Sequence, residues 1–517
     1  MTNIKYKLLW VDDEIEHLKS HIFFLEEKGY EIDTSTNGRD AIEMIKTNNY
    51  NLVFLDENMP GLSGLDTLMI IKESHPNLPI IMITKSEEES LMDQAIGSKI
   101  EDYLIKPVLP NQIYLSIKKA LKRQTLISKK TTTDYQAAFS KIGMQLNNHL
   151  SIEEWFSIYK QLVFWEIELQ QADSSMNEIL LMQKNEANNL FTKFIKDNYL
   201  NWLNIEDEAP LLSHKVLRDR VAPLLNDNKK VAFIVIDNFR YDQWETIKKE
   251  LLPHFSLKSD ELYCSILPTA TQYARNSIFS GLLPSNINKI RPQWWLNEDD
   301  EGNKNQFEGE LLNDYFERNR KDVKIFYDKI NNNENGNKII DNFSQIKNND
   351  LVALVVNFVD MISHARTESK VLKEIISDEA SYRSLTHTWF IHSPLFELLK
   401  RFAEEKFTVV ITTDHGTIRV QNPIKVVGDK NTNTNLRYKQ GRNLAYDKKQ
   451  VFEIRNPDEA FLPKINISST YIFATGDDFL AYPNNFNYYA NYYRDTFQHG
   501  GVSMEEVLIP LAILEPK

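Results

Sequence analysis

Cysteine is almost missing from this chain: Cys264 stands alone among 517 residues. A single thiol excludes an intramolecular disulfide framework and fits a reducing compartment. Long hydrophobic runs are missing too, and no apolar stretch approaches the roughly 20 residues that a membrane span needs. The N-terminus enters an apolar strand without the pattern of a secretory leader, so a soluble, cytoplasmic protein is expected. Positive charge is in deficit: 60 Lys and Arg against 73 Asp and Glu give a net charge of −13. That argues against broad coating of nucleic acid, which needs a positive field, while leaving room for a local basic pocket. No helix-turn-helix signature is found either, which disfavours a DNA-binding regulator. Between residues 137 and 204 Gly and Pro are nearly absent, which points to uninterrupted helix.

A chain of this length exceeds one hydrophobic core, so two to four domains are expected. Residues 1–125 alternate short apolar strands with amphipathic helical stretches. The strand candidates are Lys7–Val11, Glu31–Thr34, Leu52–Leu55, Ile80–Thr84 and Asp102–Ile105. Repeated strand–helix units predict a parallel sheet. Residues 126–136 are polar and predict a loop or hinge. In 126–204 the apolar residues Trp155, Ile158, Leu162, Trp165 and Ile167 recur at helical spacing. They read as packing core of three or four helices forming a spacer or small bundle. From 205 to 517 the α/β pattern returns. Its segment 420–465, rich in Asn, Lys and Thr, reads as an inserted cap or substrate-facing loop.

In the first of these spans, Asp12 and Asp13 follow strand one, Asp56 ends strand three, Thr84 ends strand four and Lys106 ends strand five. Crowded carboxylates suit Mg²⁺, a hard cation that prefers oxygen. The set resembles a two-component receiver domain across about 120 residues. The resemblance implies that Asp56 becomes an aspartyl-phosphate, and that Asp12, Asp13 and the backbone carbonyl of Asn58 hold Mg²⁺ beside it. Lys106 would neutralise the phosphoryl group, and Thr84 and Tyr103 would rearrange as the switch.

In the third span, apolar runs lead into Asp237, Asp360-Met-Ile-Ser-His364 and Asp414-His415-Gly416, and a last cluster is His499-Gly500-Gly501. Carboxylates at the ends of buried strands gather at one edge of an α/β sheet. Asp360 and His364, four apart, share a helix face. Three Asp and three His are enough for two zinc-type sites. Pro268-Thr269-Ala270-Thr271 opens a helix whose N-terminus favours an anion such as phosphate. The order of these segments resembles the alkaline phosphatase superfamily, and Asp237-Asn238-Phe239-Arg240-Tyr241-Asp242 resembles its PglZ branch.

That resemblance implies one zinc on Asp360, His364 and His499 and another on Asp237, Asp414 and His415, with the Thr271 hydroxyl touching the second. Thr271 would be the nucleophile of a phosphoric ester hydrolase; a basic substrate pocket within this acidic chain would favour a phosphodiesterase over a monoesterase. Thr269 competes for that role, and the superfamily pattern favours the later threonine. Ser503 and Glu506 have the spacing of a capping box. Arg240, Arg275, Lys430, Arg437 and Lys439 are candidate contacts to a phosphodiester, nucleotide-like substrate.

The whole order is thus a (βα)5 receiver domain, a helical bundle spacer and an α/β alkaline-phosphatase-like domain with an inserted cap. It resembles PorX-type two-component response regulators. The resemblance implies a sensor histidine kinase as phosphodonor and a role in type IX secretion. A sigma factor or a secretion-motor component would be the partner, and phosphorylation would promote a homodimer. The alternative is a zinc-stabilised, phosphorylation-switched protein-binding module with little catalysis.

Overall fold

The computed structural model describes residues 6–75, 78–85, 100–170, 174–226, 229–298, 300–428, 432–464, 466 and 468–517. It divides into two compact units, Met1–Asp134 and Tyr135–Lys517. The fold is α/β in both.

In the first unit β1 (Lys7–Val11), β2 (Glu31–Ser35), β3 (Leu52–Asp56), β4 (Ile80–Thr84) and β5 (Asp102–Ile105) form a parallel sheet in the order β2-β1-β3-β4-β5. All of β3 and β4 is buried, as a sheet covered on both faces requires. Leu9, Val53 and Met82 pack to one side, and Trp10, Phe54 and Ile81 to the other. The order puts the C-terminal ends of β1 and β3 side by side, which brings Asp12 and Asp13 next to Asp56.

The polar stretch 126–136 is not a loop. One helix runs from Pro110 to Leu146 straight through it. Polarity does not end a helix; Gly and Pro do, and none occurs from Asn111 to Ile142.

In the second unit that helix is followed by helices Ile152–Leu169 and Ser174–Asn204. Ser151 and Glu154 cap the former reciprocally, which satisfies two of its free N–H groups. Trp155, Ile158 and Leu162 are buried, and Trp165 and Ile167 are partly so. They belong to the same continuous core as the central α/β sheet, so this segment does not stand as a bundle of its own. Trp155 lies edge-on to Phe191, and Tyr159 lies against Tyr241 of the following α/β part.

Six strands build the central sheet: β6 (Val231–Ile236), β7 (Phe255–Cys264), β8 (Ile325–Ile330), β9 (Leu351–Val356), β10 (Thr408–Thr412) and β18 (Leu508–Pro516). Their order is β7-β18-β10-β6-β9-β8. β10, β6, β9 and β8 run parallel, and β18 runs antiparallel to both neighbours. The adjacent strands β10, β6 and β9 are wholly buried. The apolar run before Asp360 is shorter as strand than its composition suggests. β9 stops at Val356, and Phe358 and Val359 open the helix Phe358–Glu368.

Segment 420–465 contributes strands Asn422–Lys425, Tyr438–Gly441 and Val451–Ile454, which pair with strands that follow it in the chain. β11 (Ile418–Arg419), β12 (Asn422–Lys425), β13 (Tyr438–Gly441), β14 (Val451–Ile454), β15 (Thr470–Ala474), β16 (Asp478–Ala481) and β17 (Phe497–Gln498) form three small sheets. Its polar residues thus decorate strand edges and connections around small apolar cores such as Val426, Val451 and Ile472.

Candidate metal centre

Three neighbouring strands deliver the site. Asp237 follows β6, Asp414 and His415 follow β10, and the helix after β9 presents Asp360 and His364 one turn apart. His499 follows β17. Asp237, Asp414 and His415 have ligand atoms within 4.8 Å of one another, and so do Asp360, His364 and His499. The two sets touch: the His415 and His499 rings stack with centroids 4.2 Å apart.

Each set has the features of a cation site. Asp414 Oδ1 accepts from Asn238 N, His415 N and Thr413 Oγ1 at 3.3, 3.0 and 3.3 Å. Its other oxygen, Oδ2, is buried and has no hydrogen-bond partner among the described residues. His415 Nδ1 donates to the Gly416 carbonyl at 3.1 Å, which leaves Nε2 as a lone pair. That lone pair faces Asp237 Oδ1 at 3.7 Å and Asp414 Oδ2 at 3.8 Å. His499 is arranged alike, with Nδ1 on the Thr269 carbonyl at 3.3 Å and Nε2 at 3.7 Å from Asp360 Oδ1. Imidazoles anchored at one nitrogen and aimed at carboxylates with the other are the arrangement found around metal-binding histidines.

The electrostatics agree. Burial pushes Asp237 up to about 8, with Asp414 and Asp360 adding to the rise and Arg275 opposing it. Burial holds His415 and His499 below the ordinary imidazole range, which favours the neutral form that metal binding requires. Burial also works against a charged Asp360, but the His364 hydrogen bond and the nearby imidazoles outweigh it and hold that carboxyl low. His364, 60% exposed, is the solvent-side member. The donor sets fit borderline-soft divalent ions.

Thr271 is the first residue of helix Thr271–Ser280 and follows the N-cap Ala270. Its Oγ1 lies 3.1 Å from His415 Nε2 and 3.4 Å from Asp237 Oδ1. Thr269 is held elsewhere: its hydroxyl donates to the Gly501 carbonyl at 2.8 Å and accepts from Gly500 N at 3.1 Å. It fixes the turn after His499, where Gly500 has φ +119°, a region that favours glycine.

The basic candidates sort differently from the sequence expectation. Arg275 does reach the centre, with Nη1 2.6 Å from Asp237 Oδ2 and Nε 2.6 Å from Glu308 Oε1. Arg240 is buried and paired with Asp242 at 2.6 Å and Glu379 at 2.5 Å. Arg437 is wholly buried against Glu506 at 2.6 Å, and Glu506 in turn accepts from Gly501 N at 2.9 Å. Lys439 is buried, its Nζ donating to the Asn433 carbonyl at 2.9 Å. These three are therefore internal supports and not substrate contacts, because buried carboxylates and a carbonyl already engage their charged ends. Lys430 lies outside the described residues. The Glu506 carboxylate accepts from the Ser503 hydroxyl at 2.7 Å and holds Arg437 and Gly501, a wider duty than a capping box.

One residue carries no role in the sequence reading beyond its place in the PglZ-like motif. Asn238, fully buried with φ +60°, lies between the two ligand sets. Its other sequence signal is an Asn directly after a ligand-bearing strand, a residue type that tolerates the left-handed region.

A third acidic group, Glu166, Asp242 and Glu379, also clusters, but Arg240, Arg383 and Lys184 pair with it. It is an ion network joining helices Ile152–Leu169 and Ser174–Asn204 to the segment after Asp237.

In the first unit Asp12, Asp13 and Asp56 present ligand oxygens within 4.8 Å of one another. Lys106 Nζ stands 2.7 Å from Asp12 and 3.1 Å from Asp56. Burial and the neighbouring Asp12 raise the Asp56 carboxyl above its ordinary range. Crowded, partly buried oxygens of this kind fit Mg²⁺. Thr84 is buried and hydrogen-bonded to Tyr103, while Asn58, two residues after Asp56, is exposed.

Comparison with known proteins matches residues 8–118 to the response regulator receiver domain, 125–203 to the PorX response regulator linker domain, and 216–514 to the BREX system PglZ alkaline phosphatase-like domain. The chain is 34% identical over 147 residues to the transcriptional regulatory protein ResD of Bacillus subtilis, covering 28% of this chain and 59% of that one. It is 33% identical over 117 residues to the transcriptional regulatory protein SrrA of Staphylococcus aureus, covering 23% and 48%. The chain spans about half the length of the curated relatives it matches. Among solved structures, a response regulator receiver domain protein from Clostridium thermocellum is 30% identical with a TM-score of 0.23, covering 23% of this chain and 98% of that one.

Proposed function

From the premise that this chain belongs to the PglZ alkaline phosphatase-like family, in the receiver–linker–PglZ order of PorX-type response regulators, we propose that it is a two-component regulator whose output is phosphodiester hydrolysis. The observation that carries the reading is the position of Thr271. Its hydroxyl stands at a helix N-terminus, 3.1 Å from His415 Nε2, beside two adjoining ligand sets.

Zinc would be held by Asp360, His364 and His499 and by Asp237, Asp414 and His415, and it would supply the positive charge that stabilises the attacking and leaving oxygens. Thr271 Oγ is the nucleophile. It forms a bond to phosphorus as the bond to the ester alcohol breaks, and the alcohol leaves with a proton. Water then cleaves the phosphothreonine and restores the hydroxyl. The N-terminal N–H groups of helix Thr271–Ser280 favour the phosphate oxygens. Arg275, fixed by Asp237 and Glu308, holds Asp237 in place and adds positive charge behind it.

In the receiver, Asp56 accepts a phosphoryl group from a sensor histidine kinase. Asp12, Asp13 and the Asn58 carbonyl would hold Mg²⁺, which would supply positive charge beside the phosphoryl group; Lys106 pairs with the new phosphate, and Thr84 and Tyr103 carry the change outward. A cytoplasmic regulator of type IX secretion, dimerising on phosphorylation and acting through a sigma factor or motor component, is the biological role this reading takes. Among the described residues no helix is long and apolar enough to cross a membrane.

The test is to load the chain with zinc and assay a chromogenic diester, a monoester and short oligonucleotides, with and without a small phosphodonor. Turnover of a diester that Thr271→Ala abolishes supports the reading. No turnover of any substrate with two ions bound replaces it with the protein-binding module.

A further inference from the structure

Asn238 joins the two ligand sets. Its side-chain Nδ2 donates to Asp360 Oδ1 at 3.2 Å and to Ser363 Oγ at 3.0 Å. Its backbone N–H donates to Asp414 Oδ1 at 3.3 Å. Ser363 Oγ in turn donates to the Asp360 carbonyl at 2.8 Å. One residue thus grips a carboxylate of each set, by its side chain in one and by its main chain in the other. It follows Asp237 directly, so its own backbone is tied to a third carboxylate. Asn238 is fully buried and Ser363 is buried with it, so their bond is shielded from water, while the bond to Asp360 is partly so. The left-handed conformation at φ +60° is what turns the N–H and the side chain in different directions. Asn adopts that region at low cost, and Gly adopts it freely. The donor end of the amide is the one both carboxylate-side contacts require; its Oδ1 is buried with no partner among the described residues.

We propose that Asn238 is a positioning residue that fixes the spacing between the two ion sites by holding Asp360 and Asp414 at once. This rests on the reading that the two sets bind divalent ions. Hydrogen bonds to the ligands of a metal typically change its affinity 10- to 100-fold when removed. The two arms of Asn238 make the effect separable. Asn238→Gly keeps the left-handed backbone and the N–H to Asp414 but deletes the bond to Asp360. Ser363→Ala keeps Asn238 and removes only the group that steadies its amide.

The experiment is titration of the full chain with Zn²⁺ against a chromophoric chelator, repeated with Co²⁺ to read each site's absorption. Wild type is expected to fill two sites. Asn238→Gly is expected to weaken the Asp360–His364–His499 site by about 10- to 100-fold and leave the other within about threefold. Ser363→Ala should weaken the same site less. Equal loss at both sites in Asn238→Gly, or no loss at either, overturns the proposal. If that variant does not fold, an unchanged Ser363→Ala isotherm overturns it. A wild-type chain that binds two ions but hydrolyses nothing defeats the phosphodiesterase reading and leaves this one standing; a wild-type chain that binds none defeats both.

Discussion

His415 and His499 stack face to face, 14° from parallel, with ring centroids 4.2 Å apart. One closes β10 and the other follows the short β17, and the stack is where the two ligand sets meet. Each ring is pinned at Nδ1 by a main-chain carbonyl, Gly416 for one and Thr269 for the other.

Thr271→Ala is expected to lower diester turnover by about 10³-fold or more, as removal of a nucleophile does. Thr271→Ser, which keeps an oxygen at that position, should retain measurable activity. Zinc stoichiometry should stay the same in both, because the six Asp and His ligands remain. Steady-state rates and metal analysis on the same preparations check this.

Asp56→Asn is expected to abolish phosphoryl incorporation from a small phosphodonor. Labelled phosphate in the wild type should be acid-stable and hydroxylamine-labile, as an acyl phosphate is. Equal incorporation in wild type and variant would refute the assignment of Asp56.

Glu166→Ala strips the shared partner from Arg383 and Lys184, which it pairs across helices that meet at this point. Each cation keeps a second carboxylate, Asp242 for Arg383 and Glu505 for Lys184, so the cost should be about 1–3 kcal/mol, below that of a fully unpaired buried charge. Denaturant titration should show the Tyr135–Lys517 unit destabilised by that order. Lys184→Ala should cost a similar amount, and the double variant less than the sum, because the two share one network.

Lys439→Met addresses pH. Burial pushes the Lys439 amine down to about 7 from an ordinary 10.5. Between those values the unfolded chain binds the extra proton, so this residue makes stability rise with pH across the window and penalises the fold below it. The Met variant should therefore be more stable at neutral pH and should lose that slope. Urea midpoints at about pH 6.5 and about pH 9.5 measure it.

Most of the ligand set was legible because chemistry and position coincide: a carboxylate after a fully apolar strand has few places to go but the sheet's edge. The receiver was legible for the same reason at Asp12, Asp56 and Thr84. Arg240, Arg437 and Lys439 were misread because a basic side chain in a list carries no sign of its partner. Glu379, Glu506 and the Asn433 carbonyl reach them only once the chain is folded. Residues 126–136 were misread because a polar run resembles a loop, although nothing in it breaks a helix. Asn238 was legible only as a member of a motif, because its importance lies in a backbone angle, and a one-dimensional pattern does not show φ.

The helices before residue 205 are sewn into the phosphatase-like part. The Tyr199 hydroxyl accepts from Leu267 N at 2.7 Å in the loop leading to Thr271, and Asn188 Oδ1 accepts from Met504 N at 2.7 Å just past the His499 turn. Excising the phosphatase-like part at its family boundary would strip Trp155, Leu162 and Phe191 from the shared core and bare the apolar surface beneath them. Such a fragment should aggregate, or survive with its nucleophile loop slack. The smallest piece that keeps this core whole begins near Tyr135.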